Sequence, residues 1–314
     1  MESSNDTTSG FYIVGFSHVP GWEGLFSFSL SLIYLSAIFS NLFILSMIFD
    51  DPRLHTPMYF FLGNLSFLDV GFISTTVPKV LLSMLTNKYI SFPGCLVQLF
   101  FYVLLEGTEA FLLSAMAYDR YVAICSPLHY NIIMNAKACT ILAIFSWIFG
   151  CVNSTIHTAL TFSLPFCNSH LVDHFFCDIP PLLQLSCTDT HINKMVLFTV
   201  GGVWVGISPL LFILVSYSYI LATIIKIHSI QGRRKAFSTC SSHIMVVALF
   251  FGASLFNYIQ PSSSYSLEKK KVVSALYSIL PPVFNPFIYS LRNDSVKGAI
   301  LRVRAELSSY RTWR

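Results

Sequence analysis

Charged side chains are scarce in this chain, and their scarcity excludes most classes of soluble protein. Of the 314 residues, 11% are Asp, Glu, Lys or Arg and 54% are hydrophobic, whereas an ordinary soluble domain carries about 25% charged residues. The sequence also has no Walker phosphate-binding loop, no HExxH zinc motif and no GxSxG nucleophile motif, so it lacks common enzyme signatures. It therefore predicts a membrane protein that is not an enzyme.

Long apolar runs dominate what is present. A helix needs about 20 residues to cross a hydrocarbon core about 30 Å thick, and seven runs are long enough. They cover residues 25–49, 56–77, 95–117, 138–166, 195–225, 236–267 and 272–291. The predicted fold is an all-α membrane protein, a seven-transmembrane helix bundle spanning residues 25–292.

The distribution of Lys and Arg predicts the orientation, because cytoplasmic flanks carry the excess. With the N-terminus outside, 13 of these residues lie on the inner side and 6 on the outer side. We therefore expect an extracellular segment at 1–24, with a glycosylation sequon at Asn5, and a cytoplasmic tail at 293–314 with a short amphipathic helix. The first 24 residues lack the features of a cleavable signal peptide, so the first span is expected to be an uncleaved anchor. The basic excess then reflects the inner membrane face, with lipid as a partner, and not nucleic-acid binding.

Four cysteines fall on the outer, oxidising side, and an even set there predicts two disulfides with three possible pairings. They are Cys95, Cys167, Cys177 and Cys187. In the long outer loop, the spacing of His174, Cys177 and Asp178 is one that a soft metal ion accepts. The favoured alternative is a disulfide-clamped lid, because a disulfide removes the Cys177 thiolate.

Seven local phrases, in order along the chain, resemble the odorant receptors, a vertebrate family within the rhodopsin-like G-protein-coupled receptors. They read LHTPMYFFLGNLSFLD at 54–69, MAYDRYVAIC at 116–125, PLHY at 127–130, HFFCDIPPLLQLSC at 174–187, SY at 216–217, KAFSTCSSH at 235–243 and NPFIYSLRN at 285–293. The resemblance implies disulfides Cys95–Cys177 and Cys167–Cys187.

The resemblance also implies a switch at the inner end of the bundle. Arg120 is expected to pair with Asp119 at rest, then to release and meet Tyr217 and the helix of a G protein in the active state. His243 and Lys235 are expected to form a basic edge of span six that docks the partner or contacts anionic lipid. The remaining switch residues are Tyr121, Asn285, Pro286 and Tyr289, with Pro286 expected to break the seventh helix.

Two acids inside the membrane, Asp69 and Glu109, are expected to approach each other and to need a proton, a cation or polar partners. A sodium ion is one candidate occupant and would be a cofactor of the chain. The alternative is a pair of neutral acids that are hydrogen-bonded to Asn41 and Asn285.

The ligand site is expected in the outer half of the bundle, beneath the loop between spans four and five. Counting by 3.6 residues from the matched motifs places eleven residues on inward faces: Tyr102, Val103, Glu106, Gly107, Phe198, Gly202, Val205, Phe251, Leu255, Tyr258 and Ala275. Two of them depart from the family pattern. Phe251 stands where the family commonly has Tyr, and Glu106 stands where it usually has a small residue. We hypothesise that Glu106 favours amines or strong hydrogen-bond donors; the alternative is a neutral acid bonded to a backbone carbonyl.

By resemblance, the chain is expected to bind a small volatile odorant and to activate the stimulatory olfactory G protein, raising cyclic AMP. Its expected location is the plasma membrane, in the cilia of olfactory neurons. The alternative function is a proton- or ion-coupled transporter that uses the intramembrane acids, although the sequence shows no internal repeat.

Overall fold

The computed structural model describes residues 10–15, 23–167, 170–259 and 267–292, and the single positions 298 and 302. Within these residues seven long helices follow one another along the chain. They are α1 (Glu23–Asp50), α2 (Pro57–Leu85), α3 (Phe92–Cys125), α4 (Ala136–Phe162), α5 (His191–Lys226), α6 (Ile230–Ile259) and α7 (Leu267–Arg292). In the described part, six helices are long and apolar enough to cross a membrane, and α7 is the seventh long helix. The chain is therefore a multi-pass membrane protein.

Local sequence explains where several helices begin. The hydroxyl of Ser91 accepts a hydrogen bond from the Gly94 amide at 3.2 Å at the start of α3. The Asn135 side chain accepts one from the Ala138 amide at 2.9 Å at the start of α4. Both are N-cap bonds, which satisfy amides that have no partner within the first turn.

Helix α3 is the central helix of the bundle, and its buried residues run along most of its length. It crosses α4 closely at Gly150. An added Cβ there would lie 2.1 Å from the Thr108 hydroxyl and 2.7 Å from the Leu104 carbonyl oxygen. Only glycine permits this approach, and small residues at helix crossings are the usual means of close packing in membranes.

A small sheet at the loop end of the bundle corrects the all-α prediction. Strand β1 (Gly10–Ile13) pairs antiparallel with β2 (Tyr89–Ser91) and parallel with β3 (Leu171–Val172), so β1 is central. Phe11 and Ile13 are fully buried. These strands have two to four residues, too few to show a period of two in the sequence.

Two disulfides fix the loop between α4 and α5. Cys95 at the start of α3 is bonded to Cys177, and Cys167 is bonded to Cys187, with Cα atoms 5.6 and 5.9 Å apart. These are the two pairs implied by the family resemblance. Because Cys177 is in a disulfide, it has no thiolate for a soft metal ion, and the metal interpretation of the His174 to Asp178 segment is wrong.

Helix α7 continues from Leu267 to Arg292 with Pro286 inside it, which corrects the expectation that Pro286 breaks the helix. Proline lacks the amide that would bond the carbonyl four residues earlier, that of Pro282. The Asn41 side chain on α1 supplies the missing donor, since its Nδ2 lies 2.9 Å from the Pro282 oxygen. A neighbouring helix thus satisfies the freed carbonyl, as membrane helices require.

Candidate functional site

The ligand-facing residues predicted on α3 lie inside the bundle. Tyr102 is buried, with its ring stacked on Phe72 at 5.2 Å between centroids and tilted against Phe176, in the loop between α4 and α5, at 4.8 Å. Val103 and Gly107 are buried and Glu106 is partly buried. The upper part of α3 therefore faces the bundle interior directly beneath the clamped loop.

The prediction for α5 is wrong for two of its three residues. Phe198 is 69% exposed and Gly202 is exposed, whereas Val205 is buried. Gly201, and not Gly202, faces the bundle, because an added Cβ there would lie 3.3 Å from the ring of His157 on α4. The cause is a π-helical stretch at Leu197–Ile207. Its hydrogen bonds join residues five apart, so each turn takes more residues and a count by 3.6 loses the face.

The predicted residues on α6 and α7 are only partly described. Phe251 is buried and packs edge-to-face on Phe250 with centroids 5.0 Å apart. The side chains of Leu255 and Tyr258 lie outside the described residues. Ala275 is partly buried and lines a cavity of about 30 Å³ beneath the loop between α4 and α5, beside Phe176. This volume suits one or two water molecules and is far below that of a typical ligand site.

At the opposite end of α3, the Asp119 carboxylate has two partners. It accepts hydrogen bonds from Arg120, including one from Nε at 3.0 Å, and from the Tyr130 hydroxyl at 2.8 Å. Asp119 and Arg120 are buried. Burial first, and then the Asp119 charge, raise the pKa of Tyr130, so its hydroxyl remains a donor. Arg120 is therefore held by its neighbour, which is itself held by the segment after α3.

His243 on α6 connects three helices, and this corrects its assignment to an exposed basic edge. It is 2% exposed, its Nε2 lies 3.1 Å from the Leu113 carbonyl on α3, and its Nδ1 lies 2.8 Å from the Tyr217 hydroxyl on α5. A carbonyl only accepts, so Nε2 carries a proton, and in the neutral ring Nδ1 accepts from Tyr217. A neutral His243 is thus bonded on both sides and cannot serve as a charged docking residue here.

The other switch residues have mixed placements. Tyr121 is partly buried, with its ring 5.9 Å from that of Tyr219, and Pro286 is buried within α7. The side chain of Lys235 lies outside the described residues, as do Asn5 and the tail at 293–314 except for positions 298 and 302. Arg302 forms an ion pair with Asp51 at 2.5 Å, which joins the start of the tail to the segment after α1.

Asp69 is fully buried and lies near a second buried acid, Glu109. Asn285 Nδ2 donates to both Asp69 oxygens, at 3.2 and 3.1 Å, whereas Asn41 donates to backbone carbonyls instead. Among the described residues, four buried side-chain oxygens on α1, α3 and α7 have no hydrogen-bond partner: Asn41 Oδ1, Glu109 Oε1, Asn285 Oδ1 and the Tyr289 hydroxyl. Asn285 is therefore a hydrogen-bond partner of Asp69, as one sequence-based alternative expected, whereas Asn41 is not.

Sequence reasoning did not identify Tyr130 and His157. Tyr130 belongs to the PLHY phrase but had no assigned role. His157 lies on the buried face of α4, which runs through positions 139, 143, 146, 150, 153 and 157. The recurrence of polar residues at its outer end, at positions 153, 154, 157 and 158, was the available signal.

Comparison with known proteins agrees with this architecture over nearly the whole chain. A family model described as Olfactory receptor matches residues 30–307. Similar relatives include Olfactory receptor 1G1 of Gorilla gorilla gorilla, 49% identical over 306 residues, which cover 96% of this chain and 97% of the relative. Olfactory receptor 5AR1 of Mus musculus is 45% identical over 303 residues, with 96% and 97% covered, and Olfactory receptor 2A12 of Homo sapiens is 46% identical over 305 residues, with 96% and 98% covered. The chain belongs to the olfactory receptor family.

Proposed function

We propose that this chain is an odorant receptor that binds a small volatile ligand in the outer half of the bundle and activates a stimulatory G protein. Family membership supports a signalling receptor, and it supports neither an enzyme nor the transporter alternative. The observation that carries the mechanism is the pair of His243 hydrogen bonds that join α6 to α5 at Tyr217 and to α3 at Leu113. Arg120 is held separately, by Asp119 on the same helix.

Activation in this proposal exchanges hydrogen-bond partners at the inner end. At rest, Asp119 holds Arg120 and His243 holds Tyr217. When the inner end of α6 moves outward, His243 leaves Leu113 and Tyr217, and Tyr217 becomes free to meet Arg120. The opened space admits a helix of the G protein. A ligand drives this change only as far as it binds the open state more tightly than the resting state.

The proposed topology places the N-terminus and the disulfide-clamped loop outside the cell and the Arg120 end inside. The excess of Lys and Arg on the inner flanks supports this orientation. Asn5 is then available for glycosylation, the stimulatory olfactory G protein is the partner, and the cilia of olfactory neurons are the location. Lipid of the inner leaflet contacts the basic residues at 233–235.

Glu106 gives the ligand site a carboxyl group on the inward side of α3. An ionised carboxylate in an apolar cleft is costly unless a cation or donors accompany it. We therefore propose that Glu106 biases the receptor toward amines. The position of Gly107 beside it, buried against α4 and α5, supports the placement of this part of α3 at the ligand site.

A sodium ion is proposed between Asp69 and Glu109. Hard cations prefer oxygen ligands, and the residues fit, because the buried oxygens of Asn41, Glu109 and Asn285 have no hydrogen-bond partner among the described residues. Asn285 also lies against the Asp69 carboxylate. A bound cation would balance the negative charge of the two buried carboxylates. The chain's own contribution is Asn285, whose amide orients Asp69 from α7.

The deciding experiment expresses the full chain with a surface tag and a cyclic AMP reporter and applies an odorant panel. We expect at least one odorant to raise cyclic AMP in wild type, and the response to vanish in Arg120→Ala at equal surface level. Lys137→Ala, which alters an exposed residue at the start of α4, is the control and should respond as wild type. An undiminished response in Arg120→Ala would contradict the proposed coupling.

A further inference from the structure

Three buried polar atoms on one face of α4 have no hydrogen-bond partner within the described part of the chain. They are Asn153 Oδ1, His157 Nε2 and Thr158 Oγ1. The three side chains are 5%, 3% and 5% exposed, in that order. Unpaired buried polar atoms are unfavourable, especially where a membrane excludes water. Three within six residues therefore require an explanation other than helix packing.

The buried face of α4 changes character along its length. Its inner half carries Ala143, Ser146 and Gly150, which allow close contact with α3. Its outer half carries the polar residues, and among these Ser154 is satisfied by a 2.5 Å hydrogen bond to the Phe100 carbonyl. The outer half thus has more hydrogen-bonding capacity than its contacts with α3 use.

Glycines on the two facing helices stand opposite the unpaired side chains. An added Cβ on Gly201 of α5 would lie 3.3 Å from His157 Nε2, and one on Gly107 of α3 would lie 3.3 Å from Asn153 Nδ2. Gly107 is next to Glu106 on the inward part of α3. The unpaired atoms therefore adjoin the proposed odorant site, at a junction where α3 and α5 present no side chain.

The wall over His157 is the π-helical stretch of α5, at Leu197–Ile207. Such stretches occur frequently at functional sites, and the adjacent Gly201 and Gly202 permit backbone change at low steric cost. In this structure the atoms are closed off, so a ligand reaches them only if this part of α5 moves. A polar group that is bound only after that movement stabilises the moved state selectively.

We propose that Asn153 and His157 bind the hydroxyl group of an alcohol odorant. The inference rests on the proposed receptor function and names a ligand class for it. A hydroxyl both donates and accepts, so it can donate to Asn153 Oδ1, which only accepts, and accept from a protonated His157 Nε2. An ether, ester or ketone has no proton to donate and leaves Asn153 unpaired.

The test compares hexan-1-ol, octan-1-ol and decan-1-ol with their methyl ethers on the full receptor, read as cyclic AMP at matched surface level. His157→Phe keeps the ring and removes its nitrogens, and Asn153→Leu keeps the size and removes the amide. We expect each to weaken alcohol potency about 5- to 100-fold, because one polar group is then buried without its partner. Asn153→Leu should leave ether potency unchanged, whereas His157→Phe should also weaken ethers, because an ether oxygen accepts from His157 Nε2 as well. His157→Gln, which retains a donor, should recover most of the alcohol potency.

Thr155→Val is the matched control. Thr155 lies on the exposed face of the same helix, and its hydroxyl donates to the Cys151 carbonyl at 2.8 Å. Alcohol potency should therefore not change. Equal losses for alcohols and ethers in Asn153→Leu would mean a packing role and overturn the proposal. Wild type that responds to other odorants but to no alcohol would also overturn it, and would leave the receptor function standing. Wild type that responds to no odorant of any class would count against both.

Discussion

Replacing His243 with Phe should raise the basal activity of the receptor. The change keeps a ring that can stack on Tyr217, whose centroid lies 5.7 Å away, and removes the hydrogen bonds to Leu113 and Tyr217. Each buried hydrogen bond contributes about 0.5–1.5 kcal/mol, so the resting state loses about 1–3 kcal/mol. The freed Tyr217 hydroxyl is then available to Arg120 in the active state.

That loss corresponds to a shift of about 5- to 150-fold in the equilibrium between resting and active states. If about 1% of receptors are active at rest, a tenfold shift brings the active fraction to about 9%. The assay is cyclic AMP without odorant, normalised to surface receptor. Basal cyclic AMP should therefore rise severalfold.

Tyr217→Phe is the matched variant with the opposite expectation. It breaks the same hydrogen bond to His243, but it also removes the group that Arg120 meets in the active state. Basal activity should stay at the wild-type level and the maximal odorant response should fall. If His243→Phe leaves basal cyclic AMP unchanged or lowers it, the assignment of His243 as a resting-state contact is refuted.

Three further changes test the acidic residues. Glu106→Gln should reduce responses to amines about tenfold relative to neutral odorants, because a partly buried ion pair with the amine loses its charge. Replacing external sodium by choline should shift odorant potency severalfold in wild type and not in Asp69→Asn, since only an occupied cation site links sodium to the state of the receptor. Asp178→Asn should raise the thermal stability of the receptor at neutral pH. Burial raises the pKa of Asp178, with His174 opposing, and Asn retains the cap that Oδ1 now makes with the Ile179 amide at 2.8 Å.

Asp178 destabilises the folded receptor at neutral pH because its pKa is raised in the folded state. A folded pKa above the unfolded value, about 3.9, means that the contribution of Asp178 to stability is complete below the unfolded value and is lost as pH rises through the folded value. The difference in thermal stability between the Asp178→Asn variant and wild type should therefore shrink on mild acidification, and a difference that grows would contradict this prediction.

An unchanged odorant profile in Glu106→Gln would dismiss the amine hypothesis, and sodium sensitivity that persists in Asp69→Asn would dismiss the cation site.

The order and number of the long helices could be predicted because membrane spans need long apolar runs, which the sequence displays directly. The predicted ends of these helices were less accurate. The second span was expected to end at Val77, immediately before Pro78, but α2 continues through this proline to Leu85. Membrane helices tolerate proline where other groups can satisfy the freed carbonyl, and sequence alone does not reveal such partners.

The faces of the helices could be predicted only where the helix is regular. On α3 the count by 3.6 placed Tyr102 and Gly107 inward, whereas on α5 the π-helical stretch moved Phe198 to the exposed side. His243 was misassigned for another reason. Its position near basic residues suggested an exposed charge, but its two hydrogen bonds come from α3 and α5, which are 130 and 26 residues away in sequence.

The most direct test of the central claim is a distance measured across the inner mouth of the bundle. Labels introduced through non-natural amino acids at Thr140 on α4 and Phe237 on α6, both exposed, would report the outward movement of α6. An odorant that raises cyclic AMP should lengthen this distance in wild type. An unchanged distance under a saturating, active odorant would contradict the coupling of the outer ligand site to the inner switch.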